Sequence, residues 1–321
     1  MIFGKATALT LDTAMCAMMY VFQRRHRLNG GSRAALESYI AEHEALTRDA
    51  YFRTAALEQS AIANPKSAIS WTSPIATGHA KNDRVHADLY PCAAGWRAPT
   101  VLLLHALMSA SDIGYRSWAA DFNARGWNAV FVHLPYHYSR RPRGHWNGEL
   151  AITCDLVRTA EGLRQGVVEL RQLMTTLRGW GCREFGLWAS SYGGWIGALL
   201  ASVERDFRFI ALLEPIVDVE HAIWKSPAGA ALRGELRRAS IDRPLVARHF
   251  PHVSPLHGEL LGDAESVLLC AGKFDRIAPA ADVARLHARW AGSEYFEVPQ
   301  GHFGYQMMRT VWARLVERGL I

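Results

Sequence analysis

The pattern of apolar and polar positions changes character along the chain. The first 65 residues read as mainly helical. Ser32, just ahead of Arg33-Ala34-Ala35-Leu36-Glu37, is placed to cap a second helix, and Asn64-Pro65 ends the region. Short β segments follow over 67–91, such as Arg84–Tyr90 with Pro91 closing it. Then an alternation sets in. Continuous apolar runs at Thr100–His105, Asn128–Val132, Phe185–Ala189, Phe207–Leu213, Ser266–Cys270 and Tyr295–Val298 have the composition of strands buried on both faces. Between them lie helical patterns at 115–125, 154–178, 280–290 and 303–317. The longest carries Leu156, Ala160, Leu163, Val167, Leu170, Met174 and Leu177 on one stripe, at alternating spacings of four and three. Residues 216–262 lack a clear strand and read as short helices and loops.

Strands alternating with helices predict an α/β fold, with a mostly parallel central sheet flanked by helices on both faces. In such sheets reacting groups belong beyond the carboxyl ends of the strands. Ser191 stands at one such end, in Trp188-Ala189-Ser190-Ser191-Tyr192-Gly193-Gly194-Trp195. A serine between small residues at −2 and +2, with an apolar strand before it and a helix after it, has the pattern of a nucleophile elbow. There the serine occupies a sharp strand-to-helix turn, and a side chain at −2 or +2 would strike neighbouring backbone. The same pattern also suits a glycine-rich turn with a satisfied serine.

The other strand ends supply the partners that a serine nucleophile needs. His302, in Gly301-His302-Phe303-Gly304, follows the last strand and is placed to act as the base. Asp275 follows the preceding strand and is placed to orient His302, with Glu214 and Asp218 as rival acids. His105-Ala106-Leu107-Met108 follows the first long apolar strand. The backbone N–H groups of Leu107 and Tyr192 would form an oxyanion hole, with His105 itself structural. The loop Pro135–Trp146 is rich in arginine. Arg140 and Arg141 are candidates for binding an anionic substrate group, against the alternative that the loop's arginines pair with Glu149 and Asp155. Trp188, Tyr192 and Trp195 either line an aromatic acyl pocket or belong to the core; of these Trp195 is taken as the substrate-binding candidate.

Together the elbow, the order Ser…Asp…His, the strand-end placements and the His-Ala-Leu-Met turn resemble the α/β-hydrolase superfamily. The resemblance covers roughly the residues after the N-terminal region. It implies Ser191 as nucleophile, His302 as base, Asp275 as acid, and residues 216–262 as a small helical cap inserted after the sixth strand. Ala106 and Ala189 stand where glycine is usual. The organisation expected is a helical N-terminal extension over 1–65 and a hydrolase domain over 66–321. A Ser-His-Asp set implies acyl transfer, with a carboxylic ester or lipid-like small molecule as the leading substrate class. Thioesterase, amidase, peptidase and acyltransferase chemistry would use the same residues, and a catalytically silent binding protein is the alternative of another class. No metal or organic cofactor is called for.

Composition narrows the setting. With 321 residues, half of them apolar, the chain is long enough for one large domain with elaborations. The excess of 36 Lys and Arg over 30 Asp and Glu is modest and dispersed, and no nucleic-acid motif accompanies it. Cys16, Cys92, Cys154, Cys182 and Cys270 are scattered and odd in number, which fits reduced thiols in the cytoplasm. The apolar run Ala6–Phe22, followed by Gln23-Arg24-Arg25-His26-Arg27, falls short of the ~20 residues of a spanning helix. Asp12 interrupts it, and no signal-peptide cleavage pattern follows. A helix packed on the body is preferred over one lying on a membrane surface.

Overall fold

The computed structural model describes residues 4–27, 31–54 and 67–321. The Asn64-Pro65 boundary and the side chains of 22–27 lie outside what is described. The N-terminal region contributes helices α1 (Lys5–Arg27), α2 (Arg33–His43) and the single turn α3 (Arg48–Tyr51). Ser32 caps α2 by accepting from the Ala35 amide at 3.2 Å.

The sheet has eight strands: β1 (Ala68–Thr72), β2 (Arg84–Tyr90), β3 (Thr100–Leu104), β4 (Asn128–Val132), β5 (Phe185–Ser190), β6 (Phe207–Leu213), β7 (Val267–Gly272) and β8 (Glu294–Val298). Their order is β1-β2-β4-β3-β5-β6-β7-β8. β2 runs antiparallel to both of its neighbours, and every other pair is parallel. This is the mostly parallel, helix-flanked sheet that the alternating pattern predicts.

The continuous apolar runs follow from burial on both faces. Along β3, Leu102 and Leu104 face one core cluster while Val101 and Leu103 face the other; Leu187 and Trp188 split the same way on β5. Helices α5 (Leu156–Gly179) and α6 (Tyr192–Ala201) cover the first face, and α4 (Ile113–Ala124) and α12 (Gln306–Glu317) the second. Trp188 is therefore core on the face away from the cavity described below. The second face also holds a close fit between Phe209 and Gly186, where a Cβ on the glycine would come within 2.4 Å of the ring. Phe209→Ala empties that contact and leaves a cavity beside Phe122 and Trp127. A loss of about 3–5 kcal/mol is expected, read as a lower urea midpoint with an unchanged m-value.

Between β6 and β7 the chain forms the short helices α7 (Val219–Trp224), α8 (Ala230–Arg238), α9 (Arg243–Ala247) and α10 (Phe250–Val253), and α11 (Ala280–Arg289) precedes β8. All five cysteines are free and buried. Among the described residues no helix is long and apolar enough to cross a membrane.

Candidate active site

Ser191 sits at the turn from β5 into α6 with φ 51° and ψ −110°, a conformation an L-residue holds only under constraint from its surroundings. The constraint is visible. The Ser191 amide donates to Leu213 O at 2.9 Å, tying the turn to β6. At +2, a Cβ on Gly193 would fall 2.6 Å from Leu104 O and 2.7 Å from His105 O, so no side chain fits. At −2 the Cβ of Ala189 is accommodated because Gly197, one turn and a half into α6, leaves it room; a Cβ there would approach it to 3.0 Å.

The turn aims Ser191 Oγ at His302 Nε2, 2.8 Å away. His302 follows β8, and its Nδ1 lies 2.7 Å from Asp275 Oδ2, in the loop after β7. The other Asp275 oxygen accepts from the amides of Ile277 and Ala278 at 2.7 and 2.9 Å, which fixes the carboxylate. All three side chains are buried. Burial alone would lower the His302 pKa, but the charge and hydrogen bond of Asp275, with Glu214 and Asp12 adding to them, push it up to about 9.

The rival acids are engaged elsewhere. Glu214, just past β6, accepts from Ser190 Oγ at 3.0 Å, and burial pushes its carboxyl up to about 7. Asp218 caps α7 through the His221 amide and pairs with Arg285 at 2.6 Å.

Ser191 and His302 open into one cavity of about 200 Å³. Its lining is overwhelmingly apolar and comes from separate parts of the chain: Leu163 from α5, Trp195 from α6, Ile223 from α7, Phe250 from α10, Leu36 from α2 and Met19 from α1. Trp195 Nε1 donates to Val253 O at 2.6 Å, which ties α6 to α10 across the cavity wall.

No protein-family model matches the chain. An acetyl xylan esterase from a Paenibacillus species superposes with a TM-score of 0.59 at 12% identity, covering 92% of this chain and 98% of that one. Acetyl xylan esterase 1 from a Thermoanaerobacterium species gives 0.54 at 14% identity, with 91% and 96% covered. The fold is that of the α/β-hydrolases. A puromycin-hydrolyzing peptidase of Mycobacterium tuberculosis shares it at a TM-score of 0.52 and 16% identity, over 79% of this chain and 38% of that one. In sequence, an uncharacterised protein of Mycobacterium tuberculosis, recorded in two strains, is 28% identical over 216 residues, 64% of this chain and 50% of its own length. The chain thus spans about half the length of the curated relatives it matches.

The turn after β3 forms another wall of the cavity, where Ala106 and Leu107 line it beside Tyr192. Two buried histidines hold this turn. His105 Nε2 accepts from the Leu134 amide at 3.1 Å, so its Nδ1 donates to Ala106 O at 2.9 Å. His137 Nε2 accepts from the Met108 amide at 3.1 Å while its Nδ1 donates to Pro135 O at 2.8 Å. Burial lowers both pKa values, that of His137 to about 4, and keeps the rings neutral. Met108 adopts φ 56° there.

The arginine loop requires a correction. Arg140 is fully buried and forms a bidentate pair with Glu169 of α5, at 2.6 and 2.8 Å. Its remaining N–H groups donate to Asn82 O and His133 O. It is a strut between the 134–150 loop and α5. Arg141 is exposed, and neither arginine lines the cavity. The expected partners also differ, because Asp155 pairs with Arg158 and Glu149 faces His145. An arginine in a loop looks alike in sequence whether it faces solvent or a carboxylate 29 positions away.

Among the described residues one group could bring three metal-ligand atoms together, His86 and Asp88 of β2 with His133 after β4, within 4.8 Å of one another. Each imidazole Nε2 bonds a different Asp88 oxygen, at 3.0 and 3.2 Å, and each Nδ1 meets a serine hydroxyl, of Ser70 or Ser139. Both rings are hydrogen-bonded to the carboxylate, and the set lies outside the Ser191 cavity.

One buried group was not picked out as functional from the sequence. Asp12 of α1 is 1% exposed, and both its oxygens accept from the His302 amide, at 3.0 and 3.1 Å. Its signal was the single carboxylate in an otherwise uncharged run.

Proposed function

We propose that the protein is a serine hydrolase that cleaves carboxylic esters with an apolar acyl group through an acyl-enzyme on Ser191. The observation that carries the reading is the hydrogen-bonded chain Ser191–His302–Asp275 opening on an apolar cavity. In this reading His302 Nε2 takes the hydroxyl proton as Ser191 Oγ bonds to the acyl carbon, and Asp275 stabilises the imidazolium. The carbonyl electrons move onto oxygen, which faces the amides of Leu107 and Tyr192. Collapse of the intermediate breaks the bond to the alcohol, which leaves with the His302 proton. Water then attacks the acyl carbon, giving its proton to His302, and the acid departs as Ser191 regains its hydrogen.

Arg140 has no part in this scheme, and the cavity offers an ester little charge to pair with. Among its lining residues besides His302, burial raises the Glu214 pKa to near neutrality and lowers that of His249 to about 3, so both groups shed charge. That supports a neutral, lipid-like small molecule as substrate. The five free buried thiols fit action in the cytoplasm. Thioesters and amides would engage the same residues.

On p-nitrophenyl acetate, butyrate and octanoate, kcat/KM is expected to rise from acetate as methylenes enter the cavity. Each buried methylene contributes about 0.8 kcal/mol, or roughly fourfold, until the space is filled. A preference for acetate, or faster cleavage of an aminoacyl amide than of any ester, would count against apolar esters as the substrate class.

A further inference from the structure

We infer that Asp12 is a positioning residue for His302, so that docking of the N-terminal helix α1 completes the active site. The inference rests on the proposed roles of Ser191 and His302. Ala8, Asp12 and Cys16 recur at intervals of four on α1 and are all buried, which makes them the face turned to the body. An apolar residue would pack in the middle of that face without the desolvation penalty of a carboxylate. What the carboxylate finds there is backbone. The His302 N–H is shared between its two oxygens, and the Arg276 amide lies 3.4 Å from Oδ2. Arg276 adjoins Asp275, so one carboxylate touches the loops of both the base and the acid.

The loops are shaped for it. A Cβ on Gly301 would fall 2.6 Å from Asp12 Oδ1, so the approach requires glycine at that position. The root of the His302 loop is held separately: Gln300 O accepts from the Phe274 amide at 3.0 Å, and Gln300 Oε1 accepts from the Met307 amide at 3.1 Å. Asp12 therefore holds the tip, at the residue whose imidazole must keep its Nε2 on Ser191. The same helix carries Met19 and Tyr20 into the cavity wall. Helix α1 thus contributes to both the substrate wall and the geometry of the base.

The groups facing His302 are Asp275 from the β7 loop, Glu214 from the end of β6 and Asp12 from α1. Beside Asp12 stand Cys16 on the same helix and Arg276. Each carboxylate favours the charged imidazole, so removing the Asp12 charge lowers the His302 pKa. The base must be neutral to accept the serine proton, so the rising limb of kcat/KM against pH then moves to lower pH.

The test compares Asp12→Asn, which keeps an acceptor oxygen, with Asp12→Leu, which keeps the packing, in the full chain. The His302 imidazole is followed by NMR, through its titration and the low-field Nδ1 proton that reports the Asp275 bond. In Asp12→Asn the His302 pKa and the acid limb both move down. In Asp12→Leu the Nδ1 signal weakens and kcat falls about 100-fold, as a base displaced by about an ångström would produce, with KM little changed. An Asp12→Leu protein that is folded and has wild-type His302 signals and kcat overturns the inference, as does an Asp12→Asn titration identical to wild type. If the NMR changes appear but wild type cleaves no ester, the positioning role stands and the proposed function fails.

Discussion

In the proposed mechanism nucleophile and base act as a unit, so Ser191→Ala is expected to reduce ester hydrolysis by a factor on the order of 10⁴ to 10⁶ in kcat while leaving the fold unchanged. The hydroxyl accounts for a small share of the contacts at the turn. The Ser191 amide bond to Leu213 O, the bare Cα of Gly193 against Leu104 O and the Trp195 amide bond to Ser191 O all survive the substitution. The same backbone remains strained, since alanine is no more comfortable than serine at φ 51°. His302→Ala should fall to a similar residual rate, and the double variant should be no slower than either single one. Additive losses would mean that Ser191 and His302 do not act together. Steady-state kinetics on the best p-nitrophenyl ester, with circular dichroism to confirm folding, reads all three variants.

Arg140→Ala acts on stability instead. It leaves Glu169, 2% exposed, as a buried carboxylate stripped of its bidentate partner, and orphans the carbonyls of Asn82 and His133. Breaking a buried pair from one side costs about 3–5 kcal/mol, a large part of the stability of an ordinary domain. The urea midpoint should fall accordingly. Converting both partners at once, Arg140→Met with Glu169→Leu, should recover much of the loss, since what destabilises is the unpaired charge rather than the missing bond. Anionic and neutral esters should respond alike to Arg140→Ala in whatever protein remains folded. A KM rise confined to anionic esters, with the midpoint unchanged, would return Arg140 to the substrate.

The contrast between these two residues shows what the sequence carries. Ser191 was legible because its signal is local: a strand, small residues on either side, then a helix, all within about a dozen positions. His302 and Asp275 were legible at one remove, since strand ends in a parallel sheet lie along one edge whatever separates them in the chain. The apolar strands were legible because burial on both faces removes alternation. Arg140 and Asp12 were not, because the meaning of each lies in a partner brought near only by the fold, Glu169 from 29 positions away and the His302 amide from 290. Local composition gave contrary hints in both cases. An arginine-rich loop suggested an exposed anion site, and a carboxylate in an apolar run suggested a break in it. The first-face helices that wall the cavity were readable as helices, but not the joining of α1, α2 and the 216–262 segment around one space.

The most direct test of Ser191 as an activated nucleophile is a fluorophosphonate, which needs a reactive serine and no knowledge of the natural substrate. The folded protein is treated, digested and mapped by peptide mass spectrometry. A single phosphonyl adduct on Ser191, lost in Ser191→Ala and in His302→Ala, is the predicted result. A folded protein with Ser191 unmodified would contradict the account.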